Sequence, residues 1–263
     1  MFILKNKIKS IFNKEVEKKI DFIICGTQKG GTTALDFYLR SHPEVCMAKK
    51  KEVHFFDNDS NFKSEKNDYK KYHNYFKPLD SHKIIGEATP IYMYWKSSIQ
   101  RIYNYNPNIK LIIILRNPIS RAFSHWNMEK NKRNEKRSFH DSIQSEFLKF
   151  NKNYVYGENR DTSYLERGLY SKQITQIFEY FDKSQLMILQ NESLRNTPNI
   201  VLDDVSKYLS ISPFKEVQHK EIHSNQYNST IEERDFLFLQ EYYNDEISLL
   251  EGFLKWDLSG WKN

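Results

Sequence analysis

Cysteine, glycine and long apolar runs are all scarce in this 263-residue chain. The two cysteines, Cys25 and Cys46, are too few for a disulfide framework or a cysteine-rich metal site. Both are expected to be reduced structural thiols, which points to a cytoplasmic protein, and no metal ligands are expected. No apolar run approaches the ~18 residues that a membrane-spanning helix requires. The longest, LIIIL at 111–115, suits a buried strand. The opening MFILKNKIKSIFNK interleaves lysines with apolar residues and is followed by no small-residue cleavage site, so it does not read as a signal peptide. It is either a basic amphipathic helix lying on a membrane surface or a solvated, frayed terminus. Only eight glycines occur, and three of them, Gly26, Gly30 and Gly31, fall within six residues.

What is present looks globular. Hydrophobic residues make up 39% and charged residues 28% of the chain, a balance unlike that of disordered segments. A net charge of +6 favours anionic partners, but lysine and asparagine are abundant throughout. No nucleic-acid-binding motif accompanies the charge, so nucleic acid is not an expected partner. The expected organisation is a basic extension over 1–19 and one domain over 20–263.

Four short apolar runs read as strands: Ile20–Cys25, Lys83–Gly86, Lys110–Leu115 and Gln185–Gln190. Helical patterns lie between and after them, at Thr33–Ser41, Ser97–Tyr105, Ile119–Lys130, Ser171–Phe181, Pro198–Leu209 and Ile231–Leu250. Strands alternating with helices predict an α/β fold: a central parallel sheet flanked by helices, three layers in all and P-loop-like. The polar segment Lys130–Ser163 is expected to hold helices and loops over a cleft. In such folds ligands bind at the carboxyl ends of the strands, which selects the loops after Cys25, Gly86 and Leu115.

The first of those loops is GTQKGGTT, Gly26–Thr33. Glycines at its first and sixth positions match the spacing of a phosphate-binding loop, but its seventh position is Thr32, not lysine, and the lysine, Lys29, sits inside. Glycine lets the backbone approach an anion, and the first N–H groups of the following helix point outward to meet it. Thr32 and Thr33 add hydroxyl donors. A nucleoside triphosphatase would need Mg²⁺ and an aspartate at the end of a later strand. Here KLIIIL ends in Arg116, a residue suited to pairing directly with a phosphate through its bidentate fork. Ser124, eight residues on, lies two helical turns away and can bond the same phosphate. Two phosphate sites are therefore expected, at the Gly26 loop and at Arg116 with Ser124.

At these residues the chain resembles the sulfotransferases that use 3′-phosphoadenosine 5′-phosphosulfate (PAPS), in the branch of the heparan sulfate sulfotransferases and related bacterial enzymes. The matching segments are FIICGTQKGGTTAL, SHPEV, KEVHFFD, LIIILRNPISRAFSHW, SYLERGLY and LKWDLSGW. The resemblance implies a metal-independent, in-line transfer of a sulfuryl group from PAPS, with 3′,5′-adenosine bisphosphate as product. It implies that Gly26, Gln28, Lys29, Gly30, Gly31, Thr32 and Thr33 hold the 5′-phosphosulfate, and that Arg116 and Ser124 hold the 3′-phosphate. Glu52 is then the general base, Lys29 the cation at the bridging oxygen, and His54 a group that positions the acceptor or assists. From the residues alone, Glu52 and His54 read more readily as a surface carboxylate in the run KKKE and a histidine packed on Phe55. If the segment is extended, they point to one side. The resemblance reverses that preference.

The chain departs from the family in two places. Ala88 stands where heparan sulfate 3-O enzymes carry a lysine in the segment matching GEATPIY, and the region His223–Tyr227 matches poorly. In SYLERGLY, Arg167 and Tyr164 read either as contacts to ligand or as parts of a turn and helix start. The expected acceptor is a hydroxyl or amine of a carbohydrate or glycolipid, with membrane contact through the N-terminus and a place at the inner membrane face left open. The competing readings are a P-loop kinase or hydrolase and a non-catalytic binder of anionic polymers.

Overall fold

The structure, a computed structural model, describes residues 19–64, 68–132, 134–150, 155–215 and 230–262. Residues 1–18 of the expected extension and the segment His223–Tyr227 lie outside the described residues. Five strands, β1 Phe22–Gly26, β2 Val45–Met47, β3 Ile84–Ala88, β4 Lys110–Leu115 and β5 Leu186–Gln190, form one sheet in the order β2-β3-β1-β4-β5. Every neighbouring pair is parallel. The helices are α1 Thr32–Ser41, α2 Lys70–His73, α3 Ser98–Tyr105, α4 Pro118–Asn131 and α5 Phe139–Phe150, then α6 Tyr170–Phe178, α7 Asn191–Asn196, α8 Pro198–Leu209, α9 Glu233–Leu254 and α10 Ser259–Lys262.

The continuous apolar strands are buried on both sides, as a helix-covered parallel sheet requires. Phe22, Ile24, Ile112 and Ile114 face Leu35, Tyr38 and Leu39 of α1 and Val201, Leu202 and Val205 of α8. The alternate residues Ile23, Cys25, Leu111, Ile113 and Leu115 join the larger core, with side chains of α3, α4, α6 and α9. Burial pushes the Cys25 thiol up to about 12, so it is a neutral core thiol at physiological pH.

All four expected strands and all six expected helices form, with shifted ends. The run from Ile20 becomes a strand only at Phe22, the last strand begins at Leu186, and α6 stops at Phe178 rather than Phe181. The missed strand β2 begins at the last residue of SHPEV, Val45, and is three residues long. It is too short for a periodicity and exists because it pairs with β3. In the polar segment after Lys130, α5 forms by burying Phe139 and Ile143.

Gly86 of β3 lies opposite Phe22 of β1, and a Cβ on it would sit 2.3 Å from the Phe22 ring. Gly86→Ala is therefore expected to destabilise the fold by about 1–3 kcal/mol through overpacking. The urea midpoint should fall, and an unchanged midpoint would contradict this packing.

Candidate active site at the carboxyl ends of the strands

The loop leaving β1 is pinned through its carbonyl groups. Gly30 donates its N–H to the Thr27 carbonyl at 2.9 Å and Thr27 donates to Ile114 O at 3.2 Å. Arg116 donates to the Lys29 carbonyl at 3.3 Å, and Asn191, the first residue of α7, donates its amide to the Gly30 carbonyl at 2.9 Å. Gln28 accepts from Arg167. With its carbonyls engaged by Gly30, Arg116 and Asn191 and Thr27 N–H bonded to β4, the loop is fixed ahead of α1, whose first amides have no partner inside the helix. The glycines are required by space. A Cβ on Gly30 would stand 2.3 Å from the Ile114 carbonyl oxygen, and Gly31 adopts φ +104° with Asn191 2.5 Å from where a Cβ would be. This is the cradle that an anion on backbone N–H groups needs.

Charge fits the same role. Burial, then the charges of Arg116 and Lys132, hold the Lys29 ammonium below the usual lysine range, while Glu52 pulls it back up. A half-buried lysine kept beside two other cations gains most from an anion placed among them. Arg116 directly follows β4, and its own carbonyl accepts from Tyr170 at 2.8 Å. Asn117 then caps α4 by accepting from Ile119 and Ser120, with Pro118 at the first position. Ser124 lies in α4 and is 1% exposed. The structure thus brings Gln28, Lys29, Gly30, Gly31, Thr32, Thr33 and Arg116 to one end of the sheet, with Ser124 packed two turns into the adjoining helix.

Glu52 and His54 follow β2 and come together, but not as an extended segment. Their φ angles are +60° and +57°, so both are left-handed, unusual for non-glycine residues. The cause lies in the partners of the backbone. Glu52 N–H donates to Ala88 O at 2.9 Å, Val53 N–H to the Thr89 hydroxyl at 3.0 Å and Phe55 N–H to the Tyr92 hydroxyl at 2.9 Å. Those donors go to the end of β3 rather than to a strand ladder, and the chain curls. Behind them sits Glu87, fully buried, accepting from Tyr72 at 2.6 Å, Thr89 at 2.5 Å and Tyr92 at 3.2 Å. Burial, partly offset by these hydrogen bonds, raises its carboxyl to about 7. Ala88, where a family lysine was expected, is in the core. Positive charge reaches this loop instead through Lys51, 2.8 Å from Glu52, and Arg160, which holds Asp57.

His54 bridges two carboxylates, with Nδ1 2.9 Å from Asp57 and Nε2 3.6 Å from Glu52. Asp57 first, then Glu52, raise the His54 imidazole to about 9. His54, then Lys51, bring Glu52 down to about 2 against the effect of burial. Asp57 is opposed by burial, yet its hydrogen bonds from His54 and Arg160 keep it below the usual range. At neutral pH the trio is carboxylate, imidazolium, carboxylate.

Sequence reasoning did not assign Asp57, Arg160, Glu87 or Asn191. Asp57 closes the quoted KEVHFFD, and its three-residue spacing from His54 was the available signal. Arg160 and Asn191 are distant in sequence and carried none. Arg167 and Tyr164 resolve to structural roles. Arg167 is buried against Tyr94 and donates to Ser163, Gln28 and two carbonyls. Tyr164 is buried and donates to Glu135 at 3.1 Å. A larger cavity of about 800 Å³ opens between Tyr156, α6 and the end of α9. It is mostly apolar and none of the charged residues above lines it, so the chemistry lies elsewhere.

A glycine-built loop followed by a helix, at the end of a parallel sheet, is the arrangement of α/β folds of P-loop type. Comparison with known proteins narrows the class. The model of the sulfotransferase domain family matches residues 19–237, and the chain belongs to that family. Relatives include heparan sulfate glucosamine 3-O-sulfotransferase 5 of Mus musculus, 31% identical over 73% of this chain and 53% of its own length. The membrane-associated sulfotransferase kil1 of Dictyostelium discoideum is 38% identical over 44% of this chain and 24% of its own. The chain thus spans at most about half of these two curated relatives. A solved sulfotransferase from Alicyclobacillus acidocaldarius superimposes with a TM-score of 0.79 at 26% identity, covering 94% of this chain and 100% of that one.

Two outcomes test the site's geometry. By NMR titration His54 should lose its proton near pH 9 rather than near 6.5, and Asp57→Asn should bring it down. With the folded value above the unfolded one, His54 stabilises the protein fully below pH ~6.5 and ceases to do so as pH rises through about 9. A titration near 6.5 in the unmodified chain would refute the bridged arrangement. Gly30→Ala should reduce affinity for 3′,5′-adenosine bisphosphate at least about tenfold, because the loop must shift to admit the methyl group and charge-assisted contacts are lost. Unaltered affinity would remove the loop from the site.

Proposed function

We propose that this sulfotransferase takes PAPS as donor and transfers its sulfuryl group to a hydroxyl of a carbohydrate acceptor, with Glu52 as general base. The observation that carries the reading is the meeting of two loops. The anion cradle with Lys29 leaves β1, and the curled segment with Glu52 is tied to Ala88 O at the same end of the neighbouring parallel strand β3. A donor cradle and an ionised carboxylate at one end of the sheet are what transfer to a hydroxyl requires.

The residues fit the donor. The cradle that a Cβ would fill, together with Lys29, Thr32 and Thr33, would hold the phosphosulfate end, and Arg116 with Ser124 the 3′-phosphate. When bound, the donor supplies an electrophilic sulfuryl group on a phosphate leaving group. Glu52, ionised at neutral pH, accepts the acceptor hydroxyl's proton as the new oxygen–sulfur bond forms. Its low pKa comes chiefly from His54 and Lys51. A hydroxyl that takes over one of those contacts makes the carboxylate more basic at the moment it is needed. His54, held by Asp57, fixes the direction of Glu52. Lys29 offsets the charge that develops on the departing phosphate oxygen as the old bond breaks. Thr32 in the kinase-lysine position and Arg116 in the metal-aspartate position fit this chemistry better than phosphoryl transfer with Mg²⁺. The carbohydrate acceptor is supported by the names of the heparan sulfate relatives.

Glu52→Gln should lower turnover roughly 10²–10⁴-fold while adenosine bisphosphate binding stays near normal. Retained turnover would rule out Glu52 as the base. Arg116→Ala should act in the opposite way, weakening bisphosphate binding about tenfold or more through loss of a charge-assisted pair. An unchanged dissociation constant would sink its assignment to the 3′-phosphate.

A further inference from the structure

Resting on the sulfotransferase reading above, we propose that the cavity beside His54 is an acceptor subsite for an unsulfated sugar unit next to the one that receives the sulfuryl group. The cavity holds about 430 Å³ and its wall includes His54, Asn58, Asn61, Lys71, Asn74 and Tyr75. That volume falls within the ~300–1,000 Å³ of small-molecule sites. Its position follows from the charges already described. Glu52 lies 3.6 Å from the His54 imidazole, and His54 is also part of the cavity wall. A chain of sugars presenting a hydroxyl to Glu52 runs on past His54 into this cavity.

The wall is preformed. Asn61 donates its amide to Phe55 O at 3.0 Å, which ties it to the catalytic loop. Asn58 accepts from the Ser60 backbone and hydroxyl at 3.1 and 2.7 Å. The turn carrying Asn74 and Tyr75 is fastened to the end of β2: Lys49 donates its side chain to Asn74 O at 2.9 Å and its backbone N–H to Tyr75 O at 2.8 Å. A site held by its own scaffold loses less on binding than one that must be ordered.

Its chemistry is that of hydroxyl recognition. An asparagine side chain both donates and accepts, as a sugar hydroxyl does. Asn61 keeps its carbonyl side for such a contact, and Asn74 is exposed at the surface. Tyr75 is half-buried and packs on the core, giving an aromatic wall with a polar end. Sulfate groups are best recognised by the bidentate fork of arginine. Among the described residues lining this cavity there is no arginine, and Lys71 is the one lysine. Such a wall selects a hydroxyl-rich unit over a polysulfated one.

The test is calorimetric titration of the full chain, with and without saturating 3′,5′-adenosine bisphosphate, using two tetrasaccharides of one glycosaminoglycan backbone, unsulfated and fully sulfated. The unsulfated form should bind about tenfold more tightly or better, and this preference should persist without the bisphosphate. Asn74→Ala should weaken it about three- to tenfold, as loss of a hydrogen bond does. Asn74→Trp, which fills the cavity from an exposed position, should abolish binding of the unsulfated tetrasaccharide while bisphosphate affinity is unchanged. Equal or tighter binding of the sulfated form, no binding of the unsulfated form, or an Asn74→Trp variant that binds it as well as the parent would each overturn the subsite. Failure to bind the bisphosphate would instead count against the donor reading, and the titrations without it would still report on the cavity.

Discussion

Two cations held side by side at the end of a buried sheet organise this protein. Lys29 sits half-buried near Arg116 and Lys132, and burial and repulsion together hold its ammonium below the usual range. Such a cluster is unfavourable by itself and is sustained only because the backbone around it is fixed. The loop's carbonyls accept from Gly30, Arg116 and Asn191, Thr27 N–H donates to Ile114 O, and α1 begins directly behind it. Arg116 serves twice, as a charge beside Lys29 and as a donor that shapes the loop. The remaining architecture supplies rigidity to that arrangement: β4 and β5 deliver the anchoring residues, and Tyr170 and Asn117 fix the chain on either side of Arg116.

The Glu52 carboxylate is positioned by a different device. The left-handed backbone at Glu52 and His54 has a conformational cost. It is held by three N–H groups that donate to Ala88, Thr89 and Tyr92 at the end of β3. Thr89 and Tyr92 are in turn bonded to the buried Glu87. Arg160 reaches from the loop after α5 to secure Asp57 and so His54. One sheet therefore positions both loops, through β1 and β4 for the glycine cradle and through β2 and β3 for Glu52. The amide-lined cavity lies beside His54.

Much of this was legible in the chain because it is local. The strands are short apolar runs, the helices carry their period, and the cradle announces itself by three glycines and a lysine between a strand and a helix. Gly30 and Gly31 are dictated by contacts with Ile114 and Asn191, but the sequence marks them anyway. Three features were hidden. β2 is defined by its partner and not by a pattern of its own. The curl at Glu52 depends on acceptors some 36 residues away, at Ala88 and Thr89. Arg160 lies 103 residues from Asp57, in a polar stretch with no periodicity to place it. Arg167 differs, because most of its partners are local and only Gln28 is distant. Its motif invited a ligand contact, whereas in the structure its donors go to the chain itself.

The claim on which the account rests is that the Gly26 loop and Arg116 together form a site for a nucleotide bearing phosphates at both ends of the ribose. Calorimetric titration with 3′,5′-adenosine bisphosphate, ADP and ATP, in EDTA and then in Mg²⁺, tests it directly. The account predicts tight binding of the bisphosphate alone, the same with and without metal. Preference for ATP that appears only with Mg²⁺ would contradict it and make Lys29 a displaced kinase-type lysine.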